Sequence, residues 1–383
     1  MPDFIPEIRE RVRKQRDEIA SFLKDFIETN SYSRNFEGIN RVGEMVYEKM
    51  PHRLDHAITT DRNGVNHHVY STGAQGDGRN LALVGHIDTV FPPDSVFQKF
   101  ADSDGRLHGP GISDMKSGVA VIVYALRVLD DMKLLDSIPV RCLINGDEEI
   151  GSPNSRPLIR KLARWASYGL VFECAGLKGE VVSARRGIRR FALTVTGEAH
   201  HAGVWKGPKA SAVLELSRMI MALEALNDRE KKVSLNVGKI SGGTASNVIP
   251  DLARASFEFR FWDKETENEV LGKIKEIVDN PENPECYATI KCHHRRPAAG
   301  AINGADRLYS LVSRTAGELD QEMEQEMRGG ASDANFLIDA GVPALDGMGP
   351  IGDMDHSLEE YILKESLFER IELTALLMTK LRL

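Results

Sequence analysis

The sequence has few cysteines, no long apolar run and no large excess of charge of either sign. Four cysteines in 383 residues, without Cys-x-x-Cys spacing, are too few for a disulfide framework, so we expect reduced thiols. The longest apolar run, 119–126, is far shorter than the roughly 20 residues that span a bilayer, which argues against a membrane protein. The first residues lack the apolar segment of a secretory signal. These absences predict a cytoplasmic protein.

The charges are spread along the chain without a long block of one sign. Lys and Arg number 49 and Asp and Glu number 57, which gives a net charge of -8. This balance does not indicate the basic patch of a nucleic-acid-binding protein, so we expect no nucleic-acid partner. At roughly 150 residues per domain, the length predicts two or three domains.

The first half of the chain alternates apolar strand patterns with amphipathic helix patterns. Segments 81–84, 138–145 and 169–173 are typical of buried strands, and helical spacing of apolar residues follows 114 and covers 155–165. This alternation predicts a mostly parallel sheet flanked by helices, in which ligands bind at the carboxyl ends of the strands.

From about residue 187 the pattern changes to the order β-α-β-β-α-β, with helices expected at 210–226 and 265–278. This ferredoxin-like order forms an antiparallel sheet with two helices on one face. The α/β pattern resumes after residue 297. We therefore expect an α/β domain formed by 1–184 and 298–383, interrupted by an inserted α+β domain at 185–297.

Potential metal ligands lie at the expected strand ends or in glycine-rich loops. They are His86, Asp88, Asp114, Asp147, Glu148, Glu149, Glu173, Asp355 and His356. Any one of them is more simply explained as a turn residue or a solvated loop residue, but their combination is not. Carboxylate and imidazole ligands suit zinc, cobalt or manganese, and one carboxylate can bridge two ions. Of the adjacent Glu148 and Glu149, one can bind metal while the other acts on water.

Seven motifs, in this order along the chain, together resemble the M20 zinc metallopeptidases, especially the glutamate carboxypeptidase (carboxypeptidase G) branch. The motifs run from about residue 81 to 361 and are GHIDTVFP, GPGISDMKSG, DEEIGSPNSR, FE, HAG, SNVIP and HSLEEY. No single motif is specific, but the set is.

The resemblance implies a metal-ligand set with two Zn²⁺ ions per subunit, with Co²⁺ or Mn²⁺ as alternatives. Asp114 is the implied bridging carboxylate, and the remaining implied ligands are His86, Glu149, Glu173 and His356. The family also has a cis peptide bond after its bridging aspartate, which predicts a cis bond between Asp114 and Met115.

Three catalytic roles are also implied by the resemblance. Glu148 is the implied general base and acid, and Asp88 orients the imidazole of His86. The inserted domain resembles the family's dimerisation lid, whose histidine, here His201, reaches the neighbouring subunit's site and polarises the scissile carbonyl. Without the resemblance, the His200-His201 pair would be explained as an exposed turn.

Four further residues match substrate-binding positions of the family. Asn247 and Arg260 are implied to hold the substrate, with Arg260 pairing with its α-carboxylate. Gly329 and Gly330 precede an expected helix start, where free N–H groups can face a carboxylate. From the residues alone, Arg260 is better explained as a surface arginine, and an ordinary capped helix start explains the glycine segment equally well.

The expected function is therefore that of a homodimeric di-zinc hydrolase, which dimerises through the inserted domain. It would cleave an amide or peptide bond next to a free carboxylate in a small peptide or N-acyl amino acid, releasing glutamate or another C-terminal amino acid. The alternatives are an N-acyl amino-acid deacylase of the acetylornithine or succinyl-diaminopimelate type, a tripeptide aminopeptidase, and a catalytically silent metal-dependent binding protein. Retention of Glu148 disfavours the silent protein. Cys174, beside an implied ligand, is either an inert packing residue or an oxidation-sensitive thiol.

Overall fold

The computed structural model describes residues 3–74, 79–300 and 304–381. Elements are numbered along the chain. The helices are α1 (Ile5–Glu28), α2 (Phe36–Lys49), α3 (Ser117–Asp131), α4 (Arg156–Trp165), α5 (Ala212–Glu224), α6 (Lys264–Asp279), α7 (Ala305–Gly317), α8 (Ala334–Asp339) and α9 (Lys364–Leu381). The strands of the first half are β1 (Asp55–Thr60), β2 (Asn66–Ser71), β3 (Leu81–His86), β4 (Ala101–Ser103), β5 (Arg106–His108), β6 (Val140–Asn145), β7 (Tyr168–Val171), β8 (Val181–Arg185) and β9 (Gly187–Thr196). Those of the second half are β10 (His200–His201), β11 (Ser234–Gly242), β12 (Val248–Ile249), β13 (Leu252–Phe261), β14 (Tyr287–Arg296), β15 (Gln325–Arg328), β16 (Ala344–Leu345), β17 (Gly352–Asp353) and β18 (Tyr361–Leu363).

The chain forms two compact units. The first comprises Met1–Ala184, Ala301–Arg328 and Ser332–Leu383, and the second comprises Arg185–Gly300 with Gly329–Ala331. The sequence predicts an inserted domain at 185–297, and its function as a dimerisation lid stays a prediction.

The main sheet of the first unit has the strand order β1-β2-β6-β3-β7-β16. Strands β6, β3, β7 and β16 are parallel to their neighbours in this series, whereas β2 is antiparallel to both β1 and β6. All six residues of β3 are buried, as expected for a central parallel strand covered on both faces. The predicted α/β class with a mostly parallel sheet is confirmed.

The core of the first unit lies where α1, α3 and α9 pack together. Helix α1 is amphipathic and buries the apolar face that its helical spacing provides. The buried residues of α1 are Ile8, Val12, Ile19, Phe22, Leu23, Phe26 and Ile27. Across the described ranges, every helix is too short or too polar to cross a membrane.

A buried lysine joins the end of α1 to the turn that precedes α3. The ammonium group of Lys116 donates hydrogen bonds to the carbonyl oxygens of Phe26 at 2.9 Å and Thr29 at 2.8 Å. Positive charge is favourable at the C-terminal end of a helix, where carbonyl groups lack helical partners. Burial lowers the pKa of Lys116 to about 7. This contact anchors the turn that carries Asp114.

The second unit contains a four-stranded antiparallel sheet with the order β11-β13-β9-β14. Helices α5 and α6 pack on one face of this sheet and cover its apolar side chains. The six main elements follow each other as β9, α5, β11, β13, α6 and β14, which is the β-α-β-β-α-β order expected from the sequence. The short strands β10 and β12 form a separate ribbon.

Candidate active site

The candidate ligands of the first unit follow parallel strands or precede helix α3. His86 is the last residue of β3, Glu149 lies in the loop after β6, and Glu173 follows β7. Asp114 lies in the turn 112–116. Gly118 lets α3 approach the end of β7, because a Cβ atom there would lie 1.8 Å from the carbonyl oxygen of Phe172. Polar groups therefore gather at one edge of the sheet, as the parallel arrangement predicts.

Two groups of candidate metal ligands share Asp114. In the first group, His86 Nε2 lies 2.9 Å from Asp114 Oδ1 and 3.6 Å from Glu173 Oε1. In the second group, His356 Nε2 lies 3.1 Å from Asp114 Oδ2 and 3.2 Å from Glu149 Oε2. Within each group the candidate ligand atoms all lie within 4.8 Å of one another. The two oxygens of Asp114 thus face two different histidine-carboxylate pairs, and the structure brings together all five predicted ligands.

The carboxylates of these groups crowd each other in a buried environment. Burial, together with the negative charge of Asp114, raises the pKa of Glu149 and that of Glu173 to about 8. Burial also acts to raise the pKa of Asp114, but hydrogen bonds with His356 and His86 outweigh it and hold that pKa well below its usual range. Glu149 Oε1 is buried and has no hydrogen-bond partner in the part of the chain that the structure describes. This donor set fits divalent cations, which would neutralise the carboxylates and use the unpaired oxygen.

The two histidines have raised pKa values because carboxylates surround them. Hydrogen bonds with Asp114 and Glu149 raise the pKa of His356 to about 11. Burial acts to lower the pKa of His86, but hydrogen bonds with Asp114, Asp88 and Glu173 outweigh it and raise the pKa well above its usual value.

Asp88 connects His86 to the loop that carries the two glutamates. His86 Nδ1 lies 3.0 Å from the backbone oxygen of Asp88 and 3.5 Å from its Oδ1 atom. The Asp88 carboxylate accepts hydrogen bonds from the backbone N–H groups of Glu148 at 3.0 Å and Glu149 at 3.2 Å, and from the Ser33 hydroxyl at 2.9 Å. The imidazole of His86 is therefore held mainly through the backbone oxygen of Asp88. The carboxylate of Asp88 positions the loop that contains Glu148, and the sequence did not predict this second role.

Glu360 is a positioning residue to which the sequence analysis assigned no role. Its buried carboxylate accepts backbone N–H hydrogen bonds from Gly111 at 3.0 Å, Ser113 at 2.8 Å and Asp114 at 3.0 Å. Burial and the charge of Asp114 raise its pKa to about 8, although the three N–H donors oppose this. The only sequence signal was its place in the HSLEEY motif. Glu360 fixes the backbone of the shared ligand.

Two acidic candidates from the sequence lie outside both ligand groups. Asp147 accepts hydrogen bonds from the Ser155 hydroxyl and from the backbone N–H of Asn154 at 2.7 Å, so it stabilises its own loop. Asp355 lies with its Oδ2 atom 3.5 Å from Cys174 Sγ. Burial raises the pKa of both carboxyl groups.

The sequence left the reactivity of Cys174 open and predicted a cis bond between Asp114 and Met115, and the structure bears on both. The Cys174 side chain is buried, and burial raises its thiol pKa above the usual value, which favours the inert packing residue over a reactive thiol. All four cysteines are unpaired. The peptide bond between Asp114 and Met115 is cis, so this prediction is confirmed.

The predicted carbonyl-polarising histidine and the substrate-binding residues lie in the second unit. His201 is exposed in β10, and its Nδ1 atom accepts a hydrogen bond from the Gly203 N–H at 3.1 Å. The backbone oxygen of Asn247 accepts a hydrogen bond from the Ala202 N–H at 2.8 Å, which places Asn247 beside this ribbon. The roles of His201 and Asn247 stay predictions.

Arg260 and Gly329 are in direct contact. Arg260 Nη1 donates to the carbonyl oxygen of Gly329 at 2.9 Å, and its Nε atom donates to Glu258 at 2.8 Å. Arg185 Nη1 donates to the carbonyl oxygen of Gly330 at 3.2 Å. These contacts keep the two glycines beside Arg260.

Gly329 and Gly330 precede a helix start, as the sequence indicates, and their binding of a carboxylate stays a prediction. Helix α8 begins at Ala334, with Asp333 as its N-cap. The Ser332 N–H donates to Asn335 Oδ1 at 2.8 Å and the Ala334 N–H to the Ser332 hydroxyl at 3.1 Å. Side chains thus satisfy the N–H groups at the helix start, as in an ordinary capped helix.

Comparisons with known proteins agree with the geometry of the site. Residues 82–380 match the model of peptidase family M20/M25/M40. The chain is 27% identical over 373 residues to carboxypeptidase G2 of Pseudomonas sp. (strain RS-16), covering 95% of this chain and 89% of that protein. It is 29% identical over 329 residues to succinyl-diaminopimelate desuccinylase 2 of Ruegeria sp. (strain TM1040), covering 79% and 80% of the two chains.

The fold is also similar to that of a solved aminopeptidase. The aminopeptidase PepT of Bacillus cereus ATCC 10987 superposes with a TM-score of 0.78 at 23% identity, covering 96% of this chain and 98% of that one. The family match extends over most of the chain and includes all five candidate ligands. The chain therefore belongs to peptidase family M20/M25/M40 and is a metallohydrolase of that family.

Proposed function

We propose that this protein is a di-zinc hydrolase that cleaves an amide or peptide bond next to a free carboxylate. One observation carries the proposal: the two carboxylate oxygens of Asp114 each face a separate histidine-carboxylate pair, at 2.9 Å from His86 and 3.1 Å from His356. A carboxylate in this position can bridge two ions.

The proposed ligand sets follow from the two groups. His86 and Glu173 would hold one ion, Glu149 and His356 would hold the other, and Asp114 would contact both. Zn²⁺ accepts this mixture of nitrogen and oxygen ligands, and Co²⁺ or Mn²⁺ are alternatives. When bound, the ions would supply acidified water and polarisation of the substrate carbonyl oxygen.

The protein's own residues would move the proton. Glu148 would take a proton from the attacking water and donate it to the departing nitrogen. Its position is supported by Asp88, which accepts hydrogen bonds from the backbone N–H groups of Glu148 and Glu149. His201, supplied by a second copy in a homodimer formed through the inserted domain, would polarise the carbonyl.

Substrate recognition is proposed to use the candidates of the second unit. Arg260 would pair with the substrate's α-carboxylate, because a guanidinium group binds carboxylates through charge-assisted hydrogen bonds. Asn247, Gly329 and Gly330 would contribute further polar contacts. The contact between Arg260 and Gly329 supports a common binding surface for these residues.

The preferred substrates are small peptides or N-acyl amino acids from which glutamate or another C-terminal amino acid is released. Similarity to carboxypeptidase G2 over 95% of this chain supports this choice. Deacylation of an N-acyl amino acid is the second candidate, supported by similarity to a succinyl-diaminopimelate desuccinylase. A cytoplasmic location is also proposed, supported by four unpaired cysteines.

A substrate panel tests the reaction class. Zinc-loaded protein is assayed with N-acyl glutamates, acetylornithine, succinyl-diaminopimelate, dipeptides and tripeptides, each dipeptide and tripeptide with a free or an amidated C-terminus. We expect dipeptides and tripeptides to be hydrolysed only when their C-terminal carboxylate is free. Equal rates on free and amidated peptides would contradict a carboxypeptidase, and hydrolysis of the two biosynthetic N-acyl compounds alone would favour the deacylase.

Replacement of the proposed base tests the role of Glu148. Glu148→Gln should lower kcat by roughly 10²–10⁴-fold, because proton transfer is lost, while the metal content stays unchanged. Glu180→Gln, a change of the same type outside both ligand groups, is the control. Full activity of Glu148→Gln with normal metal content would refute the assignment.

A further inference from the structure

The second unit has a polar sheet face opposite its helices. Side chains alternate between the two faces of a strand, and the apolar ones point toward α5 and α6. On the other face, the register places Lys239, Ser256, Ala192 and Lys291 in one row across β11, β13, β9 and β14. Small side chains thus form a floor between two lysines.

The ends of this floor carry arginines. Thr194 continues the floor along β9, and Arg254 lies opposite it on β13. In the other direction the next row contains Arg190, paired across the strands with Glu258. With roughly 4.8 Å between strands, the lysines on the two outer strands lie about 14 Å apart at the backbone. We call this surface, bounded by Lys239, Lys291, Arg254 and Arg190, the lysine trough.

Both outer strands are irregular beside the trough. The register shifts between Val237 and Lys239 in β11 and between Cys292 and His294 in β14. Such bulges bend a strand and increase its twist. A cavity of about 410 Å³ lies on the β11 side of the trough, and its lining includes Arg190, Lys239, Ser256, His293 and the acidic Glu258. Its volume is in the range of small-molecule sites.

The charges of the trough are unbalanced. Lys239, Arg254 and Lys291 are exposed, and no acidic side chain pairs with them in this fully described unit. Glu258 is the one carboxylate in these rows, and it accepts hydrogen bonds from Arg190 Nε at 3.0 Å and Arg260 Nε at 2.8 Å. Arg190 makes this contact through Nε, and no carboxylate among the described residues pairs with its two terminal nitrogens, which can therefore bind another carboxylate.

We propose that the lysine trough binds an acidic peptide segment in an extended conformation. Cations at both rims match side chains that alternate to the two sides of an extended chain. The hydroxyl groups of Ser256 and Thr194 on the floor can hydrogen-bond to peptide groups. A single-stranded nucleic acid is less suitable, because its bases need aromatic stacking platforms and the floor has only small side chains.

A binding measurement with the full-length protein tests this proposal. The probe is a fluorescently labelled hexaglutamate with an acetylated N-terminus and an amidated C-terminus, so that it offers no free α-carboxylate. Fluorescence anisotropy at 50 and 150 mM salt should show saturable binding that weakens with salt, because exposed charges are screened over roughly 8 Å at 150 mM. The hexaglutamine analogue should not compete.

Matched variants locate the binding surface. Arg190→Ala/Lys239→Ala should weaken binding about tenfold or more, which corresponds to about 1.4 kcal/mol. Lys273→Ala/Lys275→Ala, which removes the same charge from exposed positions of α6 on the helix side, should leave binding unchanged. Circular dichroism melting of all variants verifies folding.

Three outcomes would overturn the proposal: no saturable binding at 50 mM salt, equal weakening in both double variants, or stronger competition by oligothymidylate of the same charge. The last outcome would assign the surface to nucleic acid. Because binding is measured without turnover, these outcomes are independent of the proposed hydrolysis, and failure of the substrate panel would not alter them.

Discussion

The two candidate ligand groups share Asp114 but hold their histidines differently. His86 ends a regular strand, its side chain is 1% exposed, and its Nδ1 atom lies 3.0 Å from the Asp88 carbonyl oxygen. His356 lies in a loop between β17 and β18 with φ of 64°, and its side chain is 53% exposed. One histidine is therefore fixed by the sheet, whereas the other is presented by a turn open to solvent.

The carboxylates of the two groups are more alike than the histidines. The side chains of Glu173 and Glu149 are 11% and 6% exposed, and burial raises the pKa of each to about 8. The difference between the groups thus comes from the histidines and their supports. We infer that the His86 group is preorganised for its ion, while the His356 group is completed at the surface.

Loss of the shared carboxylate should have the largest effect, because it removes a ligand from both groups. Asp114→Ala should abolish stoichiometric binding of both ions, measured by elemental mass spectrometry after gel filtration. Activity should fall by about a thousandfold or more, since metal ions contribute several kcal/mol to such reactions. Asp94→Ala, at an exposed position, is the control. Retention of one tightly bound ion in Asp114→Ala would show that the groups do not depend on a common ligand.

Replacing each histidine in turn tests the difference between the groups directly. His86→Ala should lower the affinity for one ion by more than the roughly 10–100-fold loss that is typical when a residue supporting a ligand is changed. His356→Ala should lower the affinity for the other ion by less than this, because water can occupy the exposed ligand position. Chelator competition with each variant measures both affinities. A larger loss in His356→Ala than in His86→Ala would reverse the comparison.

A smaller effect is expected at Glu360, which supports the shared ligand rather than either histidine. Glu360→Gln places an amide NH₂ group near three N–H donors and should lower the free energy of unfolding by about 1–3 kcal/mol. Because Asp114 serves both groups, the affinities of both ions should fall together. Glu359→Gln, the exposed neighbour, is the matched control in thermal and chelator titrations. Weakening of one ion alone would contradict a role through Asp114.

Glu360 also shows where sequence reasoning ended. Strand-end positions and ligand chemistry, with the family resemblance, predicted His86, Asp114 and Glu173 because parallel strands deliver their ends to one edge. The three hydrogen bonds of Glu360 join backbone groups almost 250 residues away. No local pattern indicates such a contact, because a buried carboxylate that accepts backbone N–H groups has the same sequence appearance as a solvated one.

The fold was likewise predictable only where it depends on local sequence patterns. The apolar spacing of α1 and the β-α-β-β-α-β order of the second unit are local patterns, and both are present in the structure. The contacts of the glycines at 329 and 330 could not be predicted from a local pattern. The structure uses the carbonyl oxygens of these glycines to accept hydrogen bonds from Arg260 and Arg185, which are distant in sequence.

Proton release should be the property in which the two groups differ least. Each contains a histidine and a glutamate with raised pKa values: His356 at about 11, Glu149 and Glu173 at about 8, and His86 well above its usual value. A proton on either member of a pair competes with the metal ion, so the affinity for each ion should fall as the pH is lowered.

At pH 7 we therefore expect both ions to release protons on binding, measured by isothermal titration calorimetry of metal-stripped protein in buffers of different ionisation enthalpy. His356→Ala should release about one proton fewer for its ion and leave the His86 ion unchanged, because only the second group loses an imidazolium. His52→Ala, at an exposed position, should match the unmodified protein. An unchanged proton count in His356→Ala would mean that this imidazole is already neutral before the ion binds, and that the solvent-exposed group does not share the protonation state of the buried one.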